Sequence, residues 1–374
     1  MNTTTGITAT ILILILSFQS TFAQECQSPT DIHSVNKLLQ ETRTGYKLPA
    51  LGIGYVQDGK SKLIQVVGIR KEGKKTKAEN DDLWHLGSNS KPITALLLAL
   101  LIDLGLIDWD TTLVDVFPKL ARDWPEDTKT ISVQHLLTHT SGLPQNWPGG
   151  WFQLKGKESP AFYRQKMMQQ ISKAKLTHKP GAKYVYSNLG YTVLGAVIDK
   201  VTKSTWETEV QKRVFRPLNI DSAGFGPTQL KDKGLQPWPH YPSGKAVPEN
   251  GVLDNPPVMN PAGRVHMSIA DINRFMVQTL RLARGEKGLL KPKTARKLFT
   301  HPFKTSPHSL SGWLSLRPKT EKWRLLHDGS NVMNFCSIEL LPNRNLAVVV
   351  CTNKGFDESR KACQKVRSKI LMTD

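Results

Sequence analysis

Apolar positions recur at helical spacing from Thr30 to Thr44 and predict an amphipathic first helix. Two alternating runs follow, Leu51–Gln57 and Ser61–Val67, and the turn Asp58-Gly59-Lys60 between them predicts a β-hairpin. Ser88 to Leu104 is apolar at almost every position, the mark of a buried helix. Pro92 falls in its first turn, where a missing N–H costs little, and Gly105 supplies a stop. Further helices are predicted over Ile131–Thr138, Ser187–Lys203 and Ser268–Leu282, the last with Ser268 as N-cap and Asp271 at the capping-box position. Residues 226–262 hold many Pro and Gly and few periodic apolar positions, so they read as a long ordered loop. Beyond Leu310 the pattern turns to strands, Gly312–Leu316, Trp323–His327, Asn334–Leu341 and Leu346–Thr352, before a closing helix, Glu358–Met372.

Strands thus stand at both ends of the chain and helices fill the middle. The simplest architecture is an α/β fold in which the two ends share one antiparallel sheet flanked by helices. Residues 24–114 and 271–374 would build that sheet domain, and 115–270 would form an inserted, mostly helical domain. Residues 1–23 carry no charge and include the apolar run Ile7–Phe18 ahead of Thr21-Phe22-Ala23. That run is short of the ~20 residues a membrane span needs. It reads as a cleaved secretory signal peptide, with a mature chain from about Gln24 that is exported to the periplasm or secreted. In that setting the four cysteines can hold disulfides. A Cys26–Cys363 bridge near the two ends is expected, while Cys336 and Cys351, facing one another around Pro342–Asn345, are left open.

Composition narrows the class. The 374 residues are 39% hydrophobic and 22% charged, which excludes disorder, collagen and coiled coil for the whole chain. Lys and Arg number 51 against 31 Asp and Glu, a net charge of +20. The basic clusters Arg70–Lys77, Arg281–Lys297 and Arg360–Lys369 do not interleave with aromatics in a nucleic-acid motif, so no nucleic-acid partner is expected. Attraction toward an anionic envelope surface stays open.

Four short stretches can carry chemistry. In Gly87-Ser88-Asn89-Ser90-Lys91, Ser88 and Lys91 lie three apart at a helix start and share a face. A lysine amine made neutral by burial can take a serine proton. Standing alone, such a pair is common on protein surfaces; here it opens an unusually buried helix. In Tyr186-Ser187-Asn188 the phenol can relay a proton, and the amide can hold the lysine and a substrate carbonyl. The bland alternative is a capped helix start. In His327-Asp328-Gly329-Ser330, Gly329 lets an acyl group approach the backbone, and the N–H of Ser330 can join that of Ser88 as an oxyanion donor. The fourth stretch, His135–Leu143, spaces two histidines four apart but lacks the glutamate of a zinc-protease motif, and reads as a helix end entering a loop. Trp147-Pro148-Gly149-Gly150-Trp151 offers aromatics either for an acyl pocket or as loop anchors. No G-x-S-x-G elbow, Walker loop or dinucleotide fingerprint is present.

Taken in order, Ser88-x-x-Lys91, Tyr186-x-Asn188 and His327-x-Gly329, with His135–Leu143 and Pro261-Ala262-Gly263 leading into Ser268–Asp271, resemble the serine β-lactamase-like family. That family includes class C β-lactamases, related DD-peptidases and family VIII esterases. The resemblance spans about Leu51 to Asn353. It implies Ser88 as acylated nucleophile, Lys91 as general base and Tyr186 as partner in proton transfer. It further implies that Asn188, His327, Gly329 and Ser330 bind substrate, with no metal and no cofactor. Several positions depart from the family pattern. His327 stands where many relatives carry lysine, which tilts the reading from anionic β-lactams toward esters or amides. Asp328 would repel anions if it faced the site, Asn334 replaces a common glycine, and Arg264 replaces a second one. The expectation is an exported serine hydrolase, carboxylesterase-like, acting on a small ester, amide or peptide. DD-carboxypeptidase or β-lactamase action, or a penicillin-binding sensor without turnover, stands as the alternative. The oligomeric state is not legible.

Overall fold

A computed structural model describes residues 31–230, 236–317 and 319–372. The signal-peptide expectation and Cys26, with its expected bridge to Cys363, lie outside these residues. The strands are β1 (Ala50–Gln57), β2 (Lys60–Gly68), β3 (Leu83–His85), β4 (Gly224–Phe225), β5 (Val265–Ser268), β6 (Leu314–Leu316), β7 (Arg324–Ser330), β8 (Phe335–Leu341) and β9 (Leu346–Thr352). The first helices are α1 (Ile32–Gly45), α2 (Ser90–Asp103), α3 (Leu113–Val116), α4 (Glu126–Lys129), α5 (Val133–Leu137) and α6 (Pro160–Gln169). After them come α7 (Asn188–Thr202), α8 (Trp206–Val210), α9 (Asn260–Gly263), α10 (Ile269–Ala283), α11 (Pro292–Leu298) and α12 (Glu358–Met372).

The main sheet has the order β2-β1-β9-β8-β7-β6, antiparallel throughout. The expected joining of the chain ends is the β1–β9 pair, Leu51 opposite Thr352 through Gln57 opposite Leu346. Side-chain alternation explains why β9 is apolar at nearly every position: Leu346, Val348 and Val350 face one core with α1 and α12, while Ala347, Val349 and Cys351 face the other. Helix α10 lies against β1 on that second face. A Cβ on Gly52 would stand 2.8 Å from Ile269 Cδ1, and one on Gly54 2.6 Å from Ile269 Cγ2, so those two glycines permit the close approach.

Helix α2 runs through the centre of the larger core and is buried around almost its whole circumference. Each fully buried leucine there contributes roughly 1.5–3 kcal/mol. Among the described residues no helix is long and apolar enough to cross a membrane. The predicted helix begins two residues late: Gly87–Asn89 forms a 3-10 turn, so Ser88 precedes α2 proper. A second sheet of three short strands, β3-β5-β4, was not legible in the sequence. β3 leads straight into the Ser88 turn. At α10, Ser268 caps as expected, but Asp271 does not complete a capping box; its carboxylate accepts from Ser222 N at 2.8 Å and from the Ser222 hydroxyl. The thiols of Cys336 and Cys351 face each other across β8 and β9 at 3.1 Å and are free, and Cys363 is a free, buried thiol on α12.

Candidate active site

The turn carrying Ser88 is tied down by its neighbours. Asn89 Nδ2 donates to Leu86 O and Cys336 O, both at 3.0 Å. Ser90 Oγ donates to Gly87 O at 2.8 Å and accepts from Val265 N at 3.0 Å. Ser88 is left half-buried at the start of α2, and Lys91 is sealed beneath it with no exposed surface. Lys91 Nζ lies 3.2 Å from Ser88 Oγ, 2.8 Å from Asn188 Oδ1 and 2.6 Å from Ala262 O. Burial holds its amine well below the ordinary lysine range. The Pro261-Ala262-Gly263 segment is thus the floor under Lys91, with Pro261 O accepting from Thr94 Oγ1 at 2.8 Å.

Tyr186 and Asn188 arrive through Ser187, which caps α7 by accepting from Gly190 N. The Tyr186 phenol hydrogen-bonds Ser88, and Lys91 Nζ stands 4.8 Å from the centre of the Tyr186 ring. Burial raises the phenol above its usual range, outweighing the hydrogen bond with Ser88. Asn188 Nδ2 donates to Asn146 Oδ1 at 3.0 Å, and Trp151 Nε1 donates to the same oxygen at 3.0 Å. The tryptophan loop is therefore an anchor for Asn188; Trp147 and Trp151 are both buried.

On the far side of Ser88, strand β7 presents His327 and Gly329 inward. A Cβ on Gly329 would stand 2.8 Å from Ser88 N, and one on Gly87 2.3 Å from Ser330 N. These two glycines let the backbone of 87–88 lie directly against that of 329–330, so the N–H groups of Ser88 and Ser330 belong to adjoining limbs. Asp328 points to the opposite face of the sheet. Its Oδ1 accepts from Ser337 Oγ at 2.6 Å and lies 3.7 Å from Arg367 of α12, so it does not face the site. Strand alternation turns it away.

Two histidines were not assigned to the site from the sequence. His139, at φ 59°, accepts from Ser187 N through Nδ1 at 3.0 Å and lies under Tyr186 with ring centres 4.4 Å apart. His135 instead caps α5 and stacks on Phe303. The two histidines of that stretch thus serve different neighbours. His308 stacks on Tyr184 at 5.4 Å and meets His139 and His327 edge-on at 5.0 and 6.3 Å. Burial, then the nearby histidines and Lys91, holds His139 and His327 well below the usual histidine range. Burial, with Lys91 and His301 adding to it, pushes His308 down to about 3. All three rings are therefore uncharged at neutral pH. The signal for His139 was present in His135–Leu143; for His308, alone in a loop, there was none.

The sequence profile of the Beta-lactamase family matches residues 35–370. The chain belongs to the Beta-lactamase family. It is 23% identical over 346 residues to Protein flp of Staphylococcus aureus (strain N315), covering 90% of this chain but only 66% of that protein. It is 24% identical over 347 residues to Penicillin-binding protein 4 of Amycolatopsis lactamdurans, covering 85% of this chain and 84% of that one. Among solved structures it resembles the octameric penicillin-binding protein homologue from Pyrococcus abyssi, with TM-score 0.71, 20% identity and coverage of 91% and 78%. It also resembles SurE, with TM-score 0.72, 20% identity and coverage of 91% and 75%. These structural likenesses establish the Beta-lactamase-type fold: an antiparallel sheet flanked by helices, as the sequence pattern predicted.

Proposed function

We propose that the protein is an exported serine hydrolase that cleaves uncharged esters or amides through an acyl-enzyme on Ser88. The observation that carries the reading is the burial of Lys91 with Nζ 3.2 Å from Ser88 Oγ. As a neutral amine, Lys91 donates its two hydrogens to Asn188 Oδ1 and Ala262 O, the two shorter contacts, and its lone pair faces the Ser88 hydroxyl. Ser88 Oγ attacks the carbonyl carbon while Lys91 takes its proton. The oxyanion is received by the N–H groups of Ser88 and Ser330. Tyr186, whose phenol burial holds above its usual range, gives its proton to the leaving oxygen or nitrogen and takes the one Lys91 has collected. Water then enters by the reverse sequence, frees the acid and restores Ser88.

The substrate class follows from charge. His139, His308 and His327 are neutral, and Asp328 is turned away, so the pocket offers uncharged hydrogen-bonding groups. Both ring nitrogens of His327 and one each of His139 and His308 lack a protein partner among the described residues. This favours a carboxylesterase-like action over binding of a free carboxylate. A second reading, penicillin binding with or without turnover, draws support from the names of two of the similar proteins. Intact-mass analysis separates the two. With p-nitrophenyl butyrate, wild type gives a burst and multiple turnovers, and Ser88→Ala gives neither. A stable penicillin adduct with no ester turnover would overturn the esterase reading. Undiminished ester turnover by Ser88→Ala would overturn the mechanism.

A further inference from the structure

Asp254, in the long loop before β5, has an acidic side chain that is almost wholly buried. Asp254 Oδ2 accepts from His85 Nε2 at 3.0 Å and from Arg264 Nε at 3.1 Å, and Oδ1 accepts from Asn331 Nδ2 at 3.0 Å and Asn255 N at 2.8 Å. Each of the two side-chain amide and imidazole partners reaches one limb of the oxyanion backbone. His85 Nδ1 accepts from Gly87 N at 3.1 Å, one residue before Ser88. Asn331 Oδ1 accepts from Asn334 N at 3.0 Å and Met333 N at 3.3 Å, fixing the turn that follows Ser330. Arg264 is itself anchored, donating through NH1 to Asn260 Oδ1 at 2.7 Å.

We propose that Asp254 is a positioning residue that sets both halves of the oxyanion hole at once, through His85 and through Asn331, with Arg264 as its fixed counter-charge. The inference rests on the hydrolase reading above. Its chemistry lies in donor and acceptor parity. All four partners of Asp254 are donors, so His85 must carry its hydrogen on Nε2 and present the bare Nδ1 to Gly87 N–H. An unpaired carboxylate in this place would be strongly destabilising, and Arg264 Nε, 3.1 Å from Oδ2, supplies the counter-charge. Burial alone pushes the Asp254 carboxyl up; His85, Arg264 and Asn331 together more than reverse this, and it sits below its ordinary value. The carboxylate is thus a permanent acceptor rather than a titrating group at neutral pH.

Asp254→Asn tests the arrangement at nearly constant shape. The amide keeps one acceptor oxygen and turns an NH2 toward two of the four donors, so His85 or Asn331 must let go. On the full chain, kcat for p-nitrophenyl butyrate should fall about 100-fold, the loss expected when a reacting group is misplaced by about 1 Å. KM should stay within about threefold. Affinity for an alkyl boronic acid, which forms a tetrahedral adduct on Ser88, should fall by the same factor as kcat, a readout that simple loss of stability does not move. If Asp254→Asn does not fold, His85→Asn and His85→Leu carry the test. Asn keeps an acceptor where Nδ1 stands but loses the link to Asp254, so it should lose about tenfold, whereas Leu, which loses both, should lose about 100-fold. Variants that melt earlier yet keep wild-type kcat and boronate affinity overturn the inference alone. A wild type that neither turns over the ester nor takes the boronate overturns the hydrolase reading and this inference together.

Discussion

The closest backbone approach in the site makes Gly329→Ala an informative perturbation. The new Cβ would stand 2.0 Å from Leu86 O, 2.7 Å from Asn89 Nδ2 and 2.8 Å from Ser88 N. Two of these are backbone atoms, and Asn89 is held by two hydrogen bonds, so no flexible side-chain end can yield. A tolerable carbon–oxygen contact is about 3.3 Å, so β7 must retreat from the Ser88 turn by roughly 1.3 Å. That movement separates the Ser88 and Ser330 N–H groups, and a shift of about 1 Å costs on the order of 100-fold in rate, close to 2.7 kcal/mol. Overpacking adds a stability loss of about 1–3 kcal/mol. Stopped-flow acylation by p-nitrophenyl butyrate, read beside thermal melting, measures both. Gly45→Ala, where the added Cβ meets nothing within 4 Å, is the control. Acylation by Gly329→Ala within threefold of wild type at an unchanged melting temperature would refute the steric argument.

Two further outcomes follow from the buried titratable groups. Lys91 titrates below the ordinary lysine range, so kcat/KM should rise with pH through that lowered value and level off well before pH 10. Lys91→Arg, which cannot lose its proton, should drop kcat/KM by at least about 1000-fold at every pH; a pH profile unchanged by the substitution would remove Lys91 as base. His308 falls from 6.5 to about 3 on folding, so below pH 6.5 the unfolded chain binds a proton that the folded one does not. Stability from this group is complete above pH 6.5 and is lost as pH falls toward 3, on the order of 5 kcal/mol over that interval. His308→Gln should therefore flatten the acid limb of urea-derived stability by about 1.4 kcal/mol per pH unit at its steepest. An acid limb of wild-type slope would place the proton uptake elsewhere.

The periodic elements were legible because their causes are local. Amphipathic spacing fixes α1 and α12, alternation fixes the β1–β2 hairpin, and a continuous apolar run fixes α2, each within a few residues. The helix start at Ser90 rather than Ser88 was not legible, because the 3-10 turn is set by Asn89 and Ser90 bonding to β8 and β5, far away in the chain. The strands β3, β4 and β5 are too short to show a period, and only their mutual pairing makes them strands.

The sequence by itself determined which chemical groups stand close together along the chain: a serine and a lysine one helical turn apart, a tyrosine and asparagine at a capped helix start, and a glycine in a strand. Spacing of a few residues is enough to put such groups on one face. Their charge states belonged to the tertiary structure. Only burial by distant segments pushes the Lys91 amine and the His327 ring below their ordinary ranges and the Tyr186 phenol above its own, because desolvation depends on what packs around a group and not on its neighbours in the chain. The same holds for Asp328, which looks like part of the site in the sequence and is turned toward Arg367 by the pleat of β7.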